Sequence, residues 1–179
     1  MTDLTFDMEP EFKRLYETCR SETMTSLERM YALWGAVRHI QNAGISGTVV
    51  ECGVWRGGSM MLAASTLLEL GASDRQLWLY DTYQGMTEPG ALDVQAMSGE
   101  TAGAILASQA KDNENPFWAL AQRDIVEQNM KGTGYPQNRT HYVEGPVEDT
   151  LPGQAPDEIA LLRLDTDWYE STRHELIHL

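Results

Sequence analysis

The 179-residue chain carries 13 Lys and Arg against 27 Asp and Glu, a net charge of -14. That balance disfavours nucleic acid and anionic membranes as partners, since both demand clustered basic side chains, and it points to a small-molecule substrate. The length suits one domain with a sizeable core; the absence of a secretory or bilayer-length apolar run, and only two cysteines (Cys19 and Cys52) without metal-type spacing, fit a soluble cytoplasmic protein with reduced thiols.

The chain reads as a single domain over 1–179: N-terminal helices over 1–45, then a cofactor-binding core over 46–179 that holds a helical insertion at 86–134. Pro10 to Arg20 forms a short helix. Thr25-Ser26-Leu27-Glu28 has the capping-box pattern that starts a second helix, with Leu27, Met30, Tyr31, Trp34 and Val37 at helical spacing and Gly44 at its end. This apolar stripe serves the core or a homo-oligomer contact with a second copy of the chain.

Thr48 to Val50 begin a buried strand that runs into Glu51-Cys52-Gly53-Val54-Trp55-Arg56-Gly57-Gly58-Ser59. Gly53 allows a tight turn, and the Gly57-Gly58 pair removes side chains where a ligand would approach. Ser59 opens an apolar helix, Met60 to Leu70, that Gly71 stops. Free N–H groups at the start of that helix are available to a carboxylate or phosphate. Glu51, two residues ahead of the first glycine, suits an ammonium group. The turn therefore matches the methionyl end of S-adenosylmethionine better than a pyrophosphate, for which Gly-x-Gly-x-x-Gly is expected. An ordinary strand-to-helix junction uses similar glycines.

Gln76 to Tyr80 is a second strand, ending in Asp81-Thr82-Tyr83-Gln84-Gly85. An acid at a strand end can bond ribose hydroxyls, in NAD enzymes and methyltransferases alike, or can close an Asx turn. Residues 86–134 carry helical stretches near Thr101 to Lys111 and Pro116 to Lys131. They form a lid or a peripheral decoration, with Phe117 and Trp118 as anchors. Arg139 to Val143 is a third strand and Glu158 to Leu164 a fourth, and this β-helix-β order predicts an α/β, Rossmann-like fold with a mostly parallel sheet.

The fourth strand ends in Leu164-Asp165-Thr166-Asp167-Trp168-Tyr169-Glu170. Its hard oxygen donors suit Mg²⁺, which can hold two neighbouring hydroxyls and lower the pKa of one. Asp165, nearest the strand end, is the expected metal ligand. Asp167 is the expected N-cap of a helix over Trp168 to Leu179. His39, His141, His174 and His178 make no metal pair with an obvious partner, so zinc is not expected.

Six ordered stretches carry a resemblance: Thr23 to Arg29, Glu51 to Ser59, Asp81 to Met86, Gly134-Tyr135-Pro136, Val147 to Pro152, and Leu162 to Thr172. Together they resemble the macrocin O-methyltransferase (TylF/MycF-type) family over nearly the whole chain. The resemblance implies a class I methyltransferase fold, S-adenosylmethionine as methyl donor, Mg²⁺ dependence, and a small-molecule hydroxyl acceptor, often a sugar of a macrolide. It would place Glu51, Gly53, Gly58 and Ser59 at the methionyl end and Asp81 at the ribose, with Gly57, Thr82 and Gly85 as further cofactor-binding residues. Gly145, Val147 and Glu148 would lie by the adenine. Asp165 would be the catalytic residue, both metal ligand and acceptor of the hydroxyl proton.

The same resemblance implies a further strand, ending in paired aspartates that complete the metal site, after the helix in which this chain stops at Leu179. A sheet lacking its C-terminal strands is thus expected, and the chain reads as a fragment of a longer protein. The alternatives are a catalytically inactive S-adenosylmethionine-binding or scaffold protein and an NAD-linked oxidoreductase.

Overall fold

The computed structural model describes residues 7–109, 111 and 116–179. Helices α1 (Pro10–Cys19) and α2 (Leu27–Asn42) lead into β1 (Thr48–Cys52), α3 (Gly58–Glu69) and β2 (Leu77–Asp81). Then come α4 (Ala102–Ala107), α5 (Arg123–Gly132), β3 (Thr140–Glu144), α6 (Val147–Thr150), β4 (Ile159–Leu164) and α7 (Tyr169–His178). The α/β expectation holds: four strands form one parallel sheet in the order β3-β2-β1-β4.

β1 is interior because every one of its residues is buried, as a strand covered on both faces requires. Its side chains alternate between faces. Val49 joins Leu77 and Leu79 in a core built with Phe12, Met30, Trp34 and Leu67, while Val50 and Cys52 join Tyr80, Val143, Val147 and Leu151 on the other side. α3 is apolar around most of its circumference because it is enclosed by the sheet and by α1, α2 and α5. From β1 the chain steps outward to β2 and β3, then returns to the opposite side of β1 for β4. A doubly wound sheet opens a crevice at such a reversal, outside the carboxyl ends of the strands.

Three local expectations gain detail or change. The N-cap of α2 is Ser26, whose hydroxyl accepts the Arg29 N–H at 3.5 Å, and not Thr25. The cap sits one residue later because the Thr25 hydroxyl is drawn to Arg163 and Asp165. The stripe on α2 serves the core: Met30, Trp34 and Val37 are buried against α1 and α3, with Leu27 and Tyr31 partly buried beside them. α7 starts at Tyr169 with Trp168 at its N-cap and no side-chain cap bond, so Asp167 does not cap it.

The segment 86–134 divides in two. α5 is a core helix, with Val126 and Met130 fully buried against α3. The part before it stays near the crevice, where the Trp118 carbonyl accepts the Met86 N–H at 3.0 Å and the Thr87 carbonyl accepts the Trp168 indole N–H at 3.1 Å. Within it α4 is shorter than expected, and Pro116–Trp118 is a 3₁₀ turn rather than the start of a long helix. Among the described residues no helix is long and apolar enough to cross a membrane.

Candidate active site

A cavity of about 250 Å³ occupies the crevice. Glu51, Gly53, Ser59, Asp81, Thr82, Gly85, Gly145, Val147, Glu148 and Asp165 all line it, together with Thr23 to Thr25, Trp55, Met86, Thr87, Asp167 and Trp168. Gly57 and Gly58 do not. Their bare α-carbons serve packing: a Cβ on Gly57 (φ +84°) would lie 3.0 Å from Val126 Cγ1, and one on Gly58 would lie 2.5 Å from the Glu22 carbonyl oxygen. Gly58 thus admits the segment between α1 and α2 against the start of α3, and that segment walls the cavity. Gly53 (φ +80°) makes a similar approach, to the Asp165 carbonyl oxygen.

Glu51 is the buried acid of the site, 1% exposed on the central strand. Arg163 donates to its Oε1, while Oε2 has no hydrogen-bond partner within the chain. Burial pushes the carboxyl up to about 7, the Arg163 guanidinium and the nearby Ser59 hydroxyl opposing the rise and the Asp165 charge adding to it. A buried acceptor left unpaired is costly in a finished fold. A cationic donor in the cavity would satisfy it.

Asp81 does structural work at the end of β2. Its Oδ2 accepts the backbone N–H groups of Val54 (2.8 Å) and Trp55 (3.0 Å), and its Oδ1 accepts that of Tyr83 at 2.8 Å. The Asx turn and the brace across to the β1 turn coexist in one carboxylate. Burial raises its pKa, and the three N–H groups oppose that rise. The brace holds Trp55 at φ +47°, a left-handed conformation that costs a bulky residue about 1–3 kcal/mol. Nearby, the Thr82 hydroxyl donates to the Gly85 carbonyl at 2.7 Å, and Gly145 N–H donates to the Asp81 carbonyl at 3.0 Å, which keeps the β2 and β3 ends together.

Asp165 leaves the end of β4 with its N–H bonded to the Cys52 carbonyl at 2.8 Å. Its Oδ2 meets Arg163 Nη2 at 2.9 Å and the Thr25 hydroxyl at 3.5 Å. The Asp167 carboxyl is raised by desolvation and then by the Asp165 charge. Both carboxylates line the same cavity, and a cation there would offset the charge that raises Asp167. Among the described residues no cluster of three metal-type side chains is present, so an ion held on Asp165 and Asp167 would have to take its remaining ligands from water or substrate. Between the two acids, the Thr166 hydroxyl bonds Glu175, a fully buried residue of α7, at 3.0 Å.

A macrocin O-methyltransferase (TylF) family model matches residues 17–179. The chain belongs to that family. Among curated O-methyltransferases, it is 32% identical over 159 residues to the 8-demethyl-8-(2,3-dimethoxy-alpha-L-rhamnosyl)-tetracenomycin-C 4'-O-methyltransferase of Streptomyces olivaceus, covering 89% of this chain and 57% of that one. It is 28% identical to the mycinamicin III 3''-O-methyltransferase of Micromonospora griseorubida, over 88% of this chain and 59% of that one. The chain thus spans less than two thirds of the length of these relatives. The solved O-methyltransferase NovP superposes with a TM-score of 0.71 at 29% identity, over 88% of this chain and 61% of that one. The calicheamicin methyltransferase CalS11 shares the fold, with a TM-score of 0.58 at 21% identity, over 95% of this chain and 73% of that one.

Two residues that support this macrocin-family site from behind its lining escape a reading of motifs: the part-buried Arg163 and the buried Glu175. Arg163 is a lone charge in the apolar strand Ile159–Leu164, and that incongruity was its signal. Glu175 has no sequence signal, because it sits in the polar run Glu170 to Glu175 and only the fold turns it inward.

Proposed function

We propose that the chain binds S-adenosylmethionine in this cavity and forms the catalytic face of an O-methyltransferase acting on a hydroxyl of a small natural product, such as a sugar hydroxyl. One observation carries the cofactor reading: Glu51 offers a fully buried, unpartnered Oε2 to the cavity beside Ser59 and the free end of α3. An α-ammonium group fits that oxygen, and the adjacent helix N-terminus suits the carboxylate on the same carbon. Val147 supplies an apolar wall and Gly145 a surface without a side chain, consistent with an adenine alongside. Family membership supports the methyl donor, and the rhamnosyl and mycinamicin names of the relatives support the acceptor class.

The chain's own residues orient the reaction. Methyl transfer breaks an S–CH₃ bond and forms an O–CH₃ bond, and the hydroxyl proton must leave toward a base within hydrogen-bond reach. Asp165 and Asp167 are the carboxylates on the acceptor side, and the raised pKa of Asp167 suits proton acceptance. The same pair would hold Mg²⁺, which when bound supplies Lewis acidity to an acceptor hydroxyl. Trp55, Trp168 and Met86 close the walls with apolar surface and limit water near the reacting atoms.

The test is transfer of a labelled methyl group to glycosylated acceptors with free sugar hydroxyls, with Mg²⁺ present or removed by chelation. Label on a sugar oxygen only with Mg²⁺ is expected. Equal transfer after chelation would remove the metal from the reading, and no transfer to any hydroxyl would overturn the catalytic claim.

A further inference from the structure

We infer that Arg163 is the positioning residue of the methionyl subsite, fixing which oxygen of Glu51 faces the cofactor and tying that subsite to Asp165 and the N-terminal strap. The inference rests on the cavity being the S-adenosylmethionine site. Parallel pairing of β1 with β4 sets Glu51 directly opposite Arg163, so the two side chains share a face of the sheet by register. The guanidinium divides its donors: Nη1 bonds Glu51 Oε1, while Nη2 bonds the Thr25 hydroxyl at 2.7 Å and Asp165 Oδ2 at 2.9 Å. Its side chain is 16% exposed.

With Oε1 occupied, Glu51 presents Oε2, the atom that has no partner in the chain. Without the fork, either oxygen could turn away from the cavity. A planar guanidinium satisfies three acceptors in fixed directions, whereas a lysine ammonium is a single point of charge on a flexible stem. Holding an arginine against the fully buried Glu51 is a poor route to stability alone, because desolvation offsets much of the attraction. Thr25 adds a consequence, since it lies on the segment between α1 and α2 that lines the cavity. Arg163 thereby ties the cavity wall, the ammonium acceptor and the acceptor-side carboxylate to one rigid group.

Two ligands separate positioning from mere structure. S-adenosylhomocysteine carries the amino-acid end; 5'-methylthioadenosine keeps the adenosine and lacks it. Both are titrated calorimetrically into the wild-type chain, Arg163→Met and Arg163→Lys. For Arg163→Met, S-adenosylhomocysteine affinity is expected to fall roughly tenfold or more, the loss of a charged hydrogen-bond partner. 5'-Methylthioadenosine affinity should stay within about twofold, and Arg163→Lys should lie between wild type and Arg163→Met for S-adenosylhomocysteine. If Arg163→Met does not fold, Arg163→Lys carries the same comparison. Equal weakening of both ligands, or no weakening of either, would overturn the inference while leaving the cofactor site standing. A wild-type chain that binds neither ligand, or binds both equally, would overturn the methionyl reading itself and the inference with it.

Discussion

Gly53 shows how narrow the tolerances of the site are. At φ +80° an L side chain is strained, and a Cβ would lie 2.5 Å from the Asp165 carbonyl oxygen. Gly53→Ala is therefore expected to cost about 1–3 kcal/mol in urea unfolding. Gly35, in the middle of α2 with open space where a Cβ would go, should behave in the opposite way. Gly35→Ala should add about 0.5–1 kcal/mol, the helix-propensity difference. Glu175 gives a prediction of another kind. Burial raises its carboxyl from the ordinary 4.5 to about 7. Between those values the folded chain holds a proton that the unfolded chain has released, so this residue's contribution to stability is full below the lower value and is lost as pH rises through the upper one. Urea midpoints should fall from about pH 5 to about pH 8, and Glu175→Gln should flatten that fall. Glu51, Asp81 and Asp165 were legible in sequence because each acid stands at the end of an apolar strand. Glu175 was not, since a predominantly polar helix gives no sign of which of its residues the fold will turn inward.

Connections between elements hold the site more than any single loop does. Asp81 ties the β1 turn to β2 through three backbone N–H groups. Asp81→Ala would leave those donors without their acceptor and release the strained Trp55. A loss of about 2 kcal/mol or more in unfolding free energy is expected. Asp81→Asn, which keeps an acceptor oxygen, should lose less, so only that variant gives a clean measure of any ribose contact. Lost cofactor affinity in Asp81→Ala with unchanged stability would contradict the brace. The start of α2 rests on Ser26, and Ser26→Ala should cost about 1 kcal/mol, read by thermal or urea unfolding. Thr25-x-x-Glu28 has the box spacing, yet the cap shifted because a distant arginine claimed Thr25. Such a long-range partner lies outside what a four-residue pattern can express.

Across the molecule, the parallel sheet and its order of helices were legible from alternating apolar runs and glycine turns, and the family model and solved relatives agree with them. The place of β4 beside β1 was not, because strand pairing across more than a hundred residues leaves no local trace. That pairing is what makes the site: it creates the crevice at the reversal of strand order, seats Arg163 against Glu51 and brings Asp165 to the same rim. The central claim is that this crevice takes the methionyl end of S-adenosylmethionine on Glu51. Calorimetric titration of the 179-residue chain with S-adenosylhomocysteine, with NAD as the control and Glu51→Gln as the variant, tests it directly. The account predicts micromolar binding of S-adenosylhomocysteine, no heat with NAD, and a loss of roughly tenfold in Glu51→Gln. Binding of NAD in its place, or unchanged affinity in Glu51→Gln, would contradict it.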